Sequence, residues 1–187
     1  GAKQVVENYK PHIDIDPSWP EKELNEFVIE TKLGVVKSKA EQEDNKSTPY
    51  IKMNNITLNG YLDLSDLVYV DASEKEKQTF ALNEGDFLYN TRNSPELVGK
   101  SCVYHGKNGE YLYNNNILRI RFNTSLNPDY ANWLLNTSYG KNKIRRLVDG
   151  TTSVAALYQK NYLAIILHIP SRNIQDEIIA QIEKEQK

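Results

Sequence analysis

The sequence contains few of the residues from which redox, metal and membrane sites are built. Its 187 residues include one cysteine, Cys102, so no internal disulfide can form. The three histidines stand far apart and no CxxC pair occurs, which excludes the usual zinc patterns. The longest apolar run, YLAIILHI, is much shorter than the roughly 20 residues that cross a bilayer. The first residues lack the apolar run of a signal peptide, so we expect a cytoplasmic protein.

The motifs of common enzyme classes are missing as well. No glycine-rich nucleotide loop, no GK[ST] sequence and no Asn-Pro-Pro-aromatic element of adenine methylases is present. A Pro-Asp pair, which some nucleases use, occurs at Pro128, but its position favours a helix start where an early acid complements the helix dipole. We therefore expect that this chain has no catalytic residue and no metal site.

Charge is nearly balanced overall but uneven along the chain. A net charge of −2 and a pI of about 6.0 give no support to a protein that coats nucleic acid nonspecifically. Two stretches, residues 90–123 and 137–160, nevertheless hold far more basic than acidic side chains. Their basic residues are Arg92, Lys100, Lys107, Arg119, Arg121, Lys141, Lys143, Arg145, Arg146 and Lys160. Because a solvated helix face and scattered surface charge give the same pattern, charge alone does not decide the function.

Short apolar segments rich in Val, Ile, Tyr and Phe, separated by Asn, Gly, Ser and Pro, predict a β-rich chain. We predict turns at NEGD and GKNGE, the second joining a hairpin, and a solvated loop at SEKEKQ. The predicted strands lie near residues 26–30, 49–53, 67–70, 79–82, 86–90, 98–104, 111–122 and 163–169.

Helical patterns occur mainly in the last third of the sequence. Asn127 and Pro128 are the cap and first residue of a helix, and a short basic helix before Gly150 follows it. The final stretch has a stripe of Ile174, Ile178 and Ile182 with Gln175 among the outward residues, and Ser171 as its cap. Together with the strands, these helices predict an α+β fold.

Several segments in the same order resemble the target recognition domains of type I restriction-modification specificity subunits. They are TPYIKMNNI, LNEGDFLYNTRNSPELVGKSCVY, NNNILRIRF and DGTTSVAALYQKNYLAIILHIP. The resemblance implies a β-rich twisted-sheet recognition domain with short helices, over residues 18–170. Residues 1–17 would be the tail of an upstream spacer helix with a linker, and residues 171–187 the start of a long C-terminal spacer helix. Such subunits usually carry two recognition domains, so the parent protein could be a full subunit or a methylase with its own recognition domain.

The resemblance also implies a ligand, partners and site residues. The ligand would be double-stranded DNA, and the partners methylase and restriction subunits or domains, with S-adenosylmethionine bound by the methylase. An exposed C-terminal stripe could also drive self-association. Asn pairs well with adenine and Arg with guanine in the major groove. The candidate base contacts are Asn90, Thr91, Arg92, Asn93, Ser94, Lys52, Asn54, Asn55, Thr151 and Thr152. The candidate phosphate contacts are Lys100, Lys141, Lys143, Arg145 and Arg146, while Tyr89 and Tyr113 are candidate DNA neighbours.

Other interpretations of the same residues remain open from the sequence. Asn and Ser side chains in NTRNSPE could simply cap their own turns. The exposed Asn, Thr and Tyr residues could serve a β-rich protein- or carbohydrate-binding module. A reader of single strands or RNA is a third possibility, because basic and aromatic residues alternate modestly in YLYNNNILRIRF.

Overall fold

The computed structural model describes residues 10–149 and 153–187, which form two main β-sheets, two short β-ribbons and helices. The larger sheet has four strands in the order β2-β9-β5-β7, and the smaller has three in the order β4-β3-β8. The ribbons pair β1 with β11 and β6 with β10. The strands are β1 Glu21–Glu23, β2 Val28–Leu33, β3 Thr48–Ile51, β4 Val68–Val70, β5 Phe87–Asn90, β6 Arg92–Asn93, β7 Ser101–Val103, β8 Leu112–Tyr113, β9 Ile117–Phe122, β10 Ala155–Ala156 and β11 Ile166–His168.

Four of the five described helices contribute to the main core on one face of the four-stranded sheet, whereas the helix at Glu74–Phe80 packs against the smaller cores through Phe80. The helices are α1 Glu74–Phe80, α2 Pro128–Asn136, α3 Ser138–Arg145, α4 Gln159–Leu163 and α5 Arg172–Glu185, with 3-10 turns at Leu24–Phe27, Lys39–Glu41 and Met53–Asn55. Asn127 caps α2 through its side-chain oxygen, and Pro128 occupies the first turn. This start of α2 confirms the sequence prediction. Mixed sheets with short helices confirm the α+β class.

The four-stranded sheet has apolar side chains on both faces because successive residues of a strand point in opposite directions. Phe87 and Tyr89 join the main core with the helices. Leu88, between them, joins a second core shared with the three-stranded sheet, where Ile51 and Tyr113 lie. The sheet is therefore the central layer between the two cores.

The segment 73–82 corrects two predictions. Residues predicted as a solvated loop and a strand at 79–82 instead form α1 and its exit. Ser73 accepts a hydrogen bond from the Glu76 amide at 3.1 Å, and the Glu76 carboxylate accepts one from the Ser73 amide at 2.9 Å. This reciprocal capping box satisfies two amides of the first turn, which a hydrophobicity pattern does not detect.

The segment 98–122 also differs from prediction. The GKNGE turn does not join a hairpin, because β7 pairs with β5 whereas β8 pairs in parallel with β3 in the other sheet. The predicted single strand at 111–122 is broken by a turn at residues 114–117, so that β8 and β9 belong to different sheets. Similarly, the predicted strand at 163–169 begins as α4 and is a strand only over Ile166–His168.

The face of α5 that packs on the domain is rotated from the predicted stripe, although Ile178 and Ile182 belong to both. The buried residues of α5 are Gln175, Ile179 and Ile182, whereas Ile174 is 36% exposed. The Gln175 side chain is fully buried because it accepts a hydrogen bond from the Asn127 amide and donates to the carbonyls of Ser125 and Pro170. Ser171 occupies the cap position without a side-chain hydrogen bond. The predicted upstream helix and the Gly150 stop involve residues outside the described ranges.

Candidate nucleic-acid interface

The loop of residues 91–100, between β5 and β7, is fixed at both of its ends. The amide of Thr91 donates to the Asn116 carbonyl at 2.9 Å, and the amide of Gly99 donates to the Asn90 carbonyl at 2.8 Å. Residues 92 and 93 pair with 156 and 155 as the β6–β10 ribbon. Gly99 has φ +87°, and a Cβ there would lie 2.8 Å from a methyl of Ile144 on α3. The loop is therefore packed directly against the basic helix.

Within this loop, Arg92 is the basic side chain most available to a ligand. It is exposed, and it makes no hydrogen bond or ion pair with another described residue. The Thr91 hydroxyl donates to the Asn116 carbonyl at 3.1 Å, and the Asn93 side-chain oxygen accepts from the Ser94 amide at 2.8 Å. The side chains of Thr91 and Asn93 therefore each make one hydrogen bond to nearby backbone, in line with the alternative interpretation that this loop caps its own turns. The Arg92 side chain makes no such bond.

Two candidate base contacts are buried, which corrects the expectation for them. Asn90 has 0% exposure and Asn55 has 1%. The Asn55 amide supports its own turn, because it accepts from the Lys52 amide at 2.8 Å and donates to the carbonyls of Asp63 and Asp66 at 3.0 Å. Neither polar side-chain atom of Asn90 has a hydrogen-bond partner among the described residues. Neither side chain reaches a base edge in this conformation.

The 3-10 turn after β3 lies beside the loop and presents Asn54. Asn54 is exposed and Lys52 is partly exposed. The Lys100 ammonium donates to the Met53 carbonyl at 2.9 Å, which joins the turn to the loop. Burial lowers the pKa of Lys100.

A groove of about 600 Å³ continues from this edge toward α3. Among the described residues it brings together three candidate phosphate contacts, Lys100, Lys141 and Arg145, over an apolar floor, with Glu96 as the acidic residue of the wall. The Lys141 ammonium donates to the Leu58 carbonyl at 3.0 Å, and its burial lowers its pKa. The other lining residues are Leu58, Pro95, Val98, Gly99, Leu135, Asn136, Ile144 and Val148. We call this surface the basic groove.

The remaining candidates do not all share the basic groove. The Lys143 ammonium lies 4.8 Å from the centre of the Tyr139 ring, and Lys143 does not line the groove. Arg146 is exposed but is also absent from the groove wall. Thr151 and Thr152 lie outside the described residues. The basic residues of this region therefore divide between at least two surfaces.

A buried amide network that the sequence pattern did not predict holds one wall of the groove. Asn132 donates to the Gly60 carbonyl at 2.9 Å and accepts from the Ser101 hydroxyl at 2.8 Å, while Asn136 donates to Asn132 and Ser101. This network fixes the turn that carries Leu58. The sequence feature that could have indicated this network is a pair of Asn residues four apart on a largely apolar helix, because that spacing places both on one face.

Two further basic residues of the stretch 90–123 are neutralised, and the two tyrosines expected to neighbour DNA are buried. Arg119 and Arg121 form ion pairs with Glu30 at 2.8 and 3.1 Å, and Arg121 also pairs with Asp86 at 2.7 Å. These arginines therefore do not belong to a phosphate-binding surface. Tyr89 and Tyr113 both have 0% exposure, which corrects the expectation that they neighbour DNA. The Tyr89 ring stacks on Tyr162 with 3.8 Å between ring centres.

The described residues contain neither a candidate metal-ligand cluster nor a candidate membrane-spanning helix. Within residues 10–149 and 153–187, no group of three His, Cys, Asp or Glu side chains is arranged to hold a metal ion. In those same ranges, no helix has the length and apolar character needed to span a membrane.

The fold matches solved structures of one class of protein. The HsdS subunit from Thermoanaerobacter tengcongensis aligns with 99% of this chain and 43% of its own, with a TM-score of 0.62 and 16% identity. A chain from a study of complex assembly and conformational transition of the type I R-M system aligns with 99% of this chain and 45% of its own, with a TM-score of 0.63 and 14% identity. The class defined by these matches is the HsdS-like fold.

Sequence comparison gives the family itself. Residues 18–184 match the family described as the type I restriction modification DNA specificity domain, and the chain belongs to that family. It is 24% identical over 167 residues to a putative MjaX specificity subunit of Methanocaldococcus jannaschii, and 24% over 165 residues to the EcoKI specificity subunit of Escherichia coli K12. These matches cover 88% and 87% of this chain but only 39% and 35% of the two relatives. The chain therefore spans well under half the length of the curated relatives it matches.

Proposed function

We propose that this domain recognises a specific sequence in double-stranded DNA as the specificity component of a type I restriction-modification system. The observation that carries the proposal is the position of Arg92. This arginine is exposed, has no partner among the described residues, and stands on a backbone fixed by the β6–β10 ribbon, in the loop whose later residues line the basic groove. An uncompensated guanidinium on a rigid support is suited to the paired acceptors of guanine in the major groove.

In this proposal, two surfaces have different roles. Arg92, Asn93, Asn54, Thr91, Ser94 and Lys52 surround the strand ends and would read base edges. Lys100, Lys141 and Arg145, in the basic groove, would contact phosphates and fix the register of the domain on the duplex without reading sequence. The Met53 carbonyl holds the Lys100 ammonium and the Leu58 carbonyl holds the Lys141 ammonium.

Catalysis would lie outside this chain. We propose that the domain works with methylase and restriction subunits or domains, and that S-adenosylmethionine binds to the methylase. The partner names follow from the type I systems to which the matched relatives belong. The alternative of a protein- or carbohydrate-binding module gains no support from these comparisons.

Selection from a random pool tests the proposal directly. The chain is incubated with a randomised duplex pool at low salt, alone and with the methylase subunit of the same system, and bound DNA is sequenced. We expect enrichment of one short motif in at least one of the two conditions. Arg92→Ala should relax the preference at one position of that motif. Failure to enrich any motif in both conditions would overturn the proposal.

A further inference from the structure

The tight turn that joins β8 to β9 carries three consecutive asparagines, Asn114, Asn115 and Asn116. The Ile117 amide donates to the Asn114 carbonyl at 3.0 Å, and the Asn116 amide donates to the Asn114 side-chain oxygen at 2.8 Å. The Asn114 side-chain nitrogen donates to the Tyr50 hydroxyl at 3.2 Å. Both polar atoms of the Asn114 side chain thus help to hold the turn in place.

The next two asparagines have no such role. Asn115 and Asn116 are partly exposed, and their side chains form no hydrogen bond with another described residue. Asparagine is common in turns partly because it tolerates positive φ, but no described residue other than glycine has a positive φ. Backbone geometry therefore does not require an amide side chain at either position.

The turn is bonded to the loop that carries Arg92. The Asn116 carbonyl accepts both the amide and the hydroxyl of Thr91, at 2.9 and 3.1 Å. On its other side, the Asn114 amide donates to the Ile51 carbonyl at 2.9 Å, close to the turn that presents Asn54. The turn that carries the two unused amides is therefore bonded on one side to the residue before Arg92 and on the other to β3, which leads into the turn that presents Asn54.

We propose that Asn115 and Asn116 read adenine in the DNA site, next to the base pair contacted by Arg92. This inference rests on the proposed function and adds two specificity-determining residues to it. An Asn amide offers one acceptor and two donor hydrogens, which match N6 and N7 of adenine in a bidentate pair. A turn that is already rigid loses little conformational freedom when its side chains bind.

The test compares motifs selected from a randomised duplex pool by the wild-type chain and by Asn115→Ala and Asn116→Ala. We expect each variant to lose about tenfold of the discrimination for adenine at one position, since a good bidentate pair contributes about 1 to 3 kcal/mol. Binding to unrelated duplexes should not change. Asn25→Ala is the matched control, because Asn25 is an exposed asparagine on the distant Leu24–Phe27 turn.

A second pair of variants separates base reading from a folding effect. Asn115→Asp and Asn116→Asp keep the side-chain shape but replace the amide donor with an acceptor, so the preferred base should shift from adenine toward cytosine. An unchanged motif in all four variants, or an equal loss at every position, would overturn the inference while leaving the proposed function intact. If the wild-type chain enriches no motif, the proposed function and the inference about Asn115 and Asn116 are both wrong.

Discussion

Arg92 and Arg121 show how differently one residue type can be used in neighbouring parts of the same domain. Both belong to the basic stretch of residues 90–123. Arg121 is paired with Asp86 and Glu30, whereas Arg92 is exposed and has no described partner. A count of charges along the sequence treats these residues as equal. The structure shows that one arginine stabilises the fold and the other is available to a ligand.

The largest expected effect comes from breaking the ion pair of Arg121. In Arg121→Met, the Asp86 carboxylate, whose side chain is 3% exposed, loses two hydrogen bonds from the guanidinium at 2.7 and 3.1 Å. An unpaired buried charge is costly, so the free energy of unfolding should fall by about 3 kcal/mol, as measured by urea denaturation. The matched variant Arg92→Met should change it by less than about 0.5 kcal/mol. Equal losses of unfolding free energy in the two variants would contradict the assignment of Arg121 to the fold and of Arg92 to ligand binding.

A second comparison uses two lysines on the same helix. Lys141 lines the basic groove, whereas the Lys143 ammonium lies over Tyr139 outside the groove. Lys141→Ala should weaken binding to all duplexes severalfold and reduce the slope of log K against log salt by about 0.9, the value for one phosphate contact. Lys143→Ala should leave the slope unchanged. Filter binding between about 50 and 200 mM salt measures both, and an equal change in slope would mean that the groove is not the phosphate surface.

The sequence predicted the loop after β5 but not which of its residues are accessible. Strand patterns located Asn90 and Arg92 at one strand end. Whether a side chain at a strand end is buried depends on the layer packed above it, and here the three-stranded sheet covers the face that Leu88 shares. Burial of Asn90 therefore depends on contacts between distant parts of the chain, which local pattern does not contain.

The helices were predicted with the same mixture of success and failure. The start of α2 was predictable because Asn127 and Pro128 act locally. The inward position of Gln175 on α5 was not predictable, since Gln175 is polar and its amide bonds to the backbone of the distant residues Ser125 and Asn127 and of the nearby Pro170. Hydrophobic periodicity assigned that position to solvent.

A substitution of Asn90 also tests whether burial determines the role of a residue in this region, with a smaller expected change in stability. Its buried amide has no hydrogen-bond partner among the described residues, and an unsatisfied buried polar group costs about 1 to 3 kcal/mol. Asn90→Leu, similar in volume and apolar, should raise the free energy of unfolding by about 1 kcal/mol in urea denaturation. The selected DNA motif should stay the same. A changed motif with unchanged stability would return Asn90 to the base-reading set.

The smallest expected effect on stability concerns His105. Like Arg121 it contacts acidic side chains, but like Arg92 it is accessible to solvent. It is half-exposed, and its two ring nitrogens contact Glu84 and Asp129, at 2.8 Å for Asp129. The hydrogen bond with Asp129, followed by that with Glu84, outweighs burial and raises the pKa of His105 from 6.5 to about 9. Because the folded-state pKa is the higher one, this stabilisation is complete below pH 6.5 and is lost as the pH rises through about 9.

The urea midpoint between pH 6.5 and about 9 measures the contribution of His105. In the wild-type chain, the part of the stability that His105 contributes should decline over this window. In His105→Gln the decline should be shallower, because glutamine keeps hydrogen-bonding capacity but does not titrate. Asp129→Asn, which removes the carboxylate that raises this pKa most, should have the same effect. Parallel pH curves for the wild type and both variants would show that the imidazole is neutral in the folded domain, and that His105 does not resemble the ion-paired arginines.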